Sequence, residues 1–90
     1  VKKTVKQLER HLKGLANHRR LEILDLVARK KEINLEDIAE SLNCNMKTIS
    51  VHTQRLVQAG LLNKKYQGRA VVHSLSPYGE KFYQFLSKFE

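Results

Sequence analysis

No Asp or Glu occurs between Ser41 and Gly79. Lys47, Arg55, Lys64, Lys65 and Arg69 stand in that stretch. The 90 residues carry a net charge of +8, and all nine acids fall at Glu40 or earlier, or at Glu80 and Glu90. Globular surfaces ordinarily mix signs. A one-signed stretch of this length predicts a positive face for a polyanion, most commonly nucleic acid; a merely soluble basic surface is the plainer alternative. Cysteine is nearly absent. Cys44 alone excludes an intramolecular disulfide and any zinc site built from Cys only. No apolar run is long enough to span a bilayer, and there is no secretory signal pattern. The expected place is the cytoplasm, at the nucleoid. There is no nucleophile–base pair and no phosphate-binding Gly loop, so an enzyme is the least expected class. With no repeats, linker or low-complexity segment, residues 1–90 read as a single domain. A chain this short buries only about 60–65% of its extended surface, and oligomerisation is one usual remedy. The chain starts at Val1, not Met, which leaves room for residues upstream.

What is present is organised around Asn45 to Leu62. Read as a helix over 46–60, it has Ile49, Thr53, Leu56 and Val57 on one side at i, i+4, i+7, i+8 spacing. Lys47, Val51, Gln54 and Arg55 fall on the other side, with Thr48 and Ser50 at the flanks. Cations suit phosphates, amide and guanidinium groups suit base edges, and a small apolar group suits a thymine methyl. Asn45 is the expected N-cap and Gly60 the expected stop. A solvated helix face is the alternative reading.

In chain order, residues 4–13 predict a helix with an apolar stripe of Val5, Leu8, Leu12 and Leu15, loosened or ended by Gly14. Asn17 caps a second helix with core residues Leu21, Ile23, Leu24, Leu26 and Val27, closed by Arg29, Lys30 and Lys31. Glu32 to Asn34 suits one short strand. Asn34 caps a third helix, Leu35 to Leu42, with Ile38, Ala39 and Leu42 inward. Asn43 to Asn45 is a tight turn into the organising helix, which makes a helix-turn-helix over about 35–60. Leu61–Gln67 and Ala70–Leu75 flank Gly68-Arg69 as a hairpin, a wing over about 61–75 with Lys64, Lys65 and Arg69 at its tip. Ser76-Pro77 starts a last helix, 77–89, with Tyr78, Phe82, Phe85, Leu86 and Phe89 on its apolar stripe. The fold class is mostly α with a small β-hairpin, a winged helix-turn-helix of order α-α-β-α-α-β-β-α.

Three segments resemble the ArsR-type regulators. LKGLANHRRLEILDLV is similar to the family's LAxPxRxxIL segment. INLEDIAESLNCNMKTISVHTQRLVQAGLL is similar to its helix-turn-helix, with the Ser50-x-His52 pair and the Ala59-Gly60-Leu61 exit. QGRAVVHSLS is similar to its wing. The likeness covers roughly residues 12–76. There are departures. His18 stands where the family often has Pro, and Thr53 where it usually has Leu. The Cys-x-Cys positions of metal-sensing members hold Asn34 and Glu36, poor ligands for a thiophilic ion. The final helix offers only Glu80 and Glu90, without His, to a zinc site. No metal site and no cofactor are expected.

The resemblance implies a homodimer. The terminal helices, with Val5, Leu8, Leu12, Phe82, Phe85, Leu86 and Phe89, are the expected interface; packing within one chain is the alternative. Two reading helices would then meet successive major grooves about 34 Å apart. The expected DNA-binding residues are Asn45, Lys47, Thr48, Ser50, Val51, Gln54, Arg55, Lys64, Lys65 and Arg69. Gln54 suits adenine, and Arg55 guanine or phosphate; Ser50 and Asn45 suit phosphate or capping. Lys on the wing also protects a sheet edge. Tyr66 is expected to pack under the wing, and Arg20 to pair with a nearby acid. His52 is expected to hydrogen-bond beside the helix-turn-helix core, His73 to lie partly buried inside the wing, and Cys44 to be buried and inert. The function read from these features is sequence-specific binding of double-stranded DNA to regulate transcription, more often by repression. A non-specific chromatin-type or RNA-binding winged helix is the alternative, and a protein-interaction module a third.

Overall fold

Side-chain caps set the helix starts. The Asn17 oxygen accepts from the N–H groups of Arg19 and Arg20, Asn34 from Asp37, Asn45 from Thr48, and Ser76 from Gly79. These are the caps the sequence marks. Thr4 adds one more, in a reciprocal capping box with Gln7. The computed structural model describes residues 3–89, so Glu90, expected on the last helix, lies outside them. The order is α1 (Val5–Leu15), α2 (His18–Lys30), β1 (Ile33–Asn34), α3 (Leu35–Ser41), α4 (Met46–Gln58), β2 (Leu62–Gln67), β3 (Ala70–Leu75) and α5 (Pro77–Leu86). A 3₁₀ turn, Ser87–Phe89, follows. The sheet is antiparallel in the order β1-β3-β2. This is the winged helix-turn-helix that the sequence predicts. Among the described residues, no helix is long and apolar enough to cross a membrane.

The core forms where α2, α3 and α4 meet the sheet. Ile23, Leu24, Ile38, Ile49, Leu56 and Leu61 are fully buried. Thr53 is buried among them, and its hydroxyl donates to the Ser50 carbonyl 3.0 Å away. That local bond satisfies the polar group Thr brings where the ArsR-type segments it resembles usually have Leu. Asn43 takes φ 50 in the turn before α4, a conformation Asn tolerates.

Several expectations need correcting. The first helix does not stop at residue 13. It runs through Gly14 to Leu15, because Gly14 is where α1 crosses α4: a Cβ there would overlap that of Ala59. The last helix ends at Leu86, not 89, and tightens into the 3₁₀ turn. Leu21 is exposed at the rim of a hollow shared with Tyr83 and Phe89, not in the core. Tyr66 does not pack under the wing; it is 69% exposed. β2 is an edge strand, and beyond Leu62 its residues are all exposed. Arg20 has no acid partner among the described residues. Its neighbour Arg19 holds Glu22 at 3.2 Å instead.

Candidate nucleic-acid interface

The face of α4 expected to read DNA stands clear of the fold. Lys47, Ser50, Gln54 and Arg55 are exposed, Thr48 is half-buried, and Val51 is 49% exposed although apolar. Ile49 and Leu56 on the opposite side are fully buried, so the helix cannot rotate without exposing them. Asn45 is exposed, but its side-chain oxygen is occupied by the Thr48 N–H at 2.8 Å.

The far end of α4 is fixed from two directions. Leu61 N–H reaches the Leu56 carbonyl and Gly60 N–H the Val57 carbonyl, each at 3.0 Å, with Gly60 at φ 78. That is a Schellman stop. The next carbonyls are taken by other elements. His11 Nδ1 of α1 bonds Ala59 O. Ser76 Oγ donates to Gly60 O at 2.6 Å, and Ser76 N–H to Leu61 O at 3.1 Å. The His11 ring also stands 5.1 Å from Tyr78 and 5.9 Å from Phe82. His11 is fully buried, which its place on a basic, polar-looking helix does not reveal.

The wing is less uniformly positive than its sequence. Lys64 and Lys65 project to opposite faces of β2, as the two-residue period requires. Lys65 Nζ holds Glu32 Oε1 at 2.7 Å, and Lys64 Nζ stands 5.4 Å from the Tyr66 ring. Arg69 lines one hollow with Glu36 and Met46. The expected cluster of Lys64, Lys65 and Arg69 at the tip is therefore split. Sheet pairing brings Glu32 to it, and α3 brings Glu36. The positive surface is extended on the other side of α4 instead. Arg10 and Lys13 of α1 and Arg20 of α2 border a cleft with Val51, His52, Arg55 and Gln58. Sequence reasoning missed these cations, because they precede the acid-free stretch.

His52 does not make the hydrogen bond expected of it. Its Nδ1 is buried without a partner, as is Arg20 Nε. An unmatched buried donor costs about 1–3 kcal/mol. Burial holds His52 below the ordinary imidazole value, and Arg20, Arg19 and His18 add to the effect. Burial, then Lys64, does the same to His73, which is buried more completely than its place on the wing predicts. The unfolded chain takes these protons near the ordinary value of about 6.5, and the folded chain only at lower pH. Their stabilising contribution is complete above that value and is lost as pH falls below it. The urea midpoint is expected to be lower at pH 5.5 than at pH 7.5; equal midpoints would remove both assignments.

On the outer surface, Val5, Leu12, Phe85 and Phe89 are exposed, while Leu8 is half-buried. Phe82 and Leu86, also expected at a dimer interface, are half-buried and pack against the protein's own core. The stripe on α5 is therefore divided between core and surface. Cys44 is half-buried against the core. Among the described residues, no group of three or more His, Cys, Asp or Glu is placed to hold a metal ion. Asn34, at one of the family's Cys positions, spends its side-chain oxygen on the Asp37 N–H at 2.8 Å.

The family model described as HVO_A0114 matches residues 15–80. Among solved structures, one similar to this chain is the homodimeric winged helix-turn-helix DNA-binding domain of Mb0332 from Mycobacterium bovis, a possible ArsR-family transcriptional regulator. It is 32% identical, with TM-score 0.83 over 94% of this chain and 78% of that one. The chain belongs to the ArsR-type winged helix-turn-helix regulators. HlyU from Vibrio cholerae N16961 shares the fold at TM-score 0.88 and 24% identity, over 99% of this chain and 97% of that one. The transcriptional repressor PagR of Bacillus anthracis shares it at TM-score 0.82 and 24% identity, over 91% and 94%. No curated protein matches the sequence. In this ArsR-type chain, the signature residues Arg20 and His52 both border the cleft beside α4.

Proposed function

We propose that the protein is a homodimeric regulator of transcription that sets α4 in the major groove of duplex DNA and represses by occupying a promoter. It acts in the cytoplasm, at the nucleoid. The observation that carries this reading is the outward face of α4, where Lys47, Val51, Gln54 and Arg55 lie open to solvent with no carboxylate among them. Gln54 and Arg55 read base edges, Val51 touches a thymine methyl, and Lys47, Thr48, Ser50 and Asn45 meet phosphates. Lys64 and Arg69 follow the backbone or minor groove, and Lys65 joins them on leaving Glu32. Val5, Leu8, Leu12, Phe85 and Phe89 form the dimer contact, with Phe82 and Leu86 behind it.

Selection from random duplexes tests this reading. A near-palindromic site is expected; enrichment of no sequence would favour a non-specific, chromatin-type role. With about four phosphate contacts per protomer, log affinity falls with log salt at a slope of roughly −7. Gln54→Ala or Arg55→Ala relaxes preference at one base pair by about 1–3 kcal/mol, while Lys64→Ala weakens all sequences alike. If both α4 substitutions leave binding to every duplex unchanged, the reading face lies elsewhere.

A further inference from the structure

The cleft between α1, α2 and α4 has a volume of about 610 Å³. Its charged lining is Arg10, Lys13, Arg20 and Arg55, with no carboxylate. Lys13 reaches Glu9 at 3.7 Å, with both side chains largely in solvent. Arg10, Arg20 and Arg55 have no acid partner among the described residues. Like charges gathered in one hollow repel each other unless an anion stands between them. Two buried nitrogens of the signature residues bordering it, Arg20 Nε and His52 Nδ1, lack partners. Arg20 Nε–H, and His52 Nδ1 in its protonated tautomer, both call for an acceptor. One oxyanion with several acceptor oxygens answers all of these demands, and guanidinium forks match phosphate geometry.

The place of the cleft names the source of that anion. Val51 and Arg55 line it and also belong to the reading face of α4. A group seated there is beside the edge of whatever groove α4 enters. We propose that the cleft seats a backbone phosphate of the bound duplex, held by Arg10 and Arg20 with His52, beside the base-reading Arg55. This rests on the DNA-binding reading and adds α1 and α2 to the contact surface. The same phosphate chemistry could be offered by a free anion, so the test has two arms.

The test follows the Arg20 Nε–H and His52 ring resonances by NMR, with the selected duplex in one arm and inorganic phosphate in the other. Saturable shifts with duplex at equimolar ratio, absent with phosphate at the same concentration, support the proposal. The exposed Arg10→Gln variant keeps the fold, weakens binding to every duplex and flattens the log–log salt slope by up to about 0.9 per cleft, about 1.8 for a dimer. If α4 amides shift with duplex while the cleft resonances and the Arg10→Gln slope do not change, the phosphate seat is overturned and the DNA reading stands. Cleft shifts with phosphate alone, while duplex moves only α4, overturn the DNA source in favour of a free-anion site. If duplex moves nothing, both readings fall.

Discussion

Gly79→Ala is expected to lower the unfolding free energy by about 3 kcal/mol. Gly79 sits in the first turn of α5 with its back to the exit of α4. A Cβ there would overlap Leu61 O and stand 3.1 Å from the Leu61 carbonyl carbon. Both obstacles are backbone, so no side chain can swing aside. Relief requires α5 to lift, which strains the Ser76 N–H bond to Leu61 O and the Ser76 Oγ bond to Gly60 O. Overpacking costs about 1–3 kcal/mol, and each weakened bond about 1. Better helix propensity returns about 1 kcal/mol. The net is a large share of the roughly 5–15 kcal/mol available to a small domain. Gly68→Ala is the contrast: φ is 62 there, but nothing stands within 4 Å, so about 1 kcal/mol is expected. Urea unfolding at fixed protomer concentration measures both. A Gly79→Ala loss no larger than that of Gly68→Ala would contradict the packing described.

Phe85→Glu is expected to convert the protein to a monomer and to cut affinity for a two-half-site operator by about 10²–10⁴-fold. Phe85 is 55% exposed and meets Phe89 edge to face at 5.1 Å, so neither ring is spent on the core. In the proposed dimer contact the substitution would bury an unpaired charge on each protomer, which is disfavoured. The fold should survive, because the buried cluster lies elsewhere. Sedimentation reports the mass, and anisotropy with one-half-site and two-half-site duplexes reports the loss of paired binding. A variant that remains dimeric with unchanged operator affinity would move the interface away from α5.

Local chemistry was readable from the order of residues, and distant encounters were not. Asn17, Asn34, Asn45 and Ser76 could be named as caps because a cap bonds residues two or three places away. Gly60 and the hairpin turn were legible for the same reason. The outward face of α4 followed from the 3.6-residue period once its buried side was fixed. Charge was harder. An acid-free stretch of chain is not an acid-free surface: Glu32 crosses the sheet to Lys65, and Glu36 comes beside Arg69. The cations of α1 and α2 reach α4 only through tertiary packing, so no local pattern announces them. His11 was equally hidden, because its partner Ala59 lies 48 positions away.

The double hold on the end of α4 has a geometric consequence for a paired molecule. His11 and Gly14 clasp that end from α1, and Ser76 and Gly79 clasp it from α5. Among the described residues, no hinge intervenes between the outer helices and the helix proposed to enter the groove. Two such helices would behave as the jaws of a caliper, locked at one gap and one mutual angle. One extra base pair between half-sites turns the second by about 34°. With no joint to absorb that turn, operator spacing becomes as strict a requirement as operator sequence.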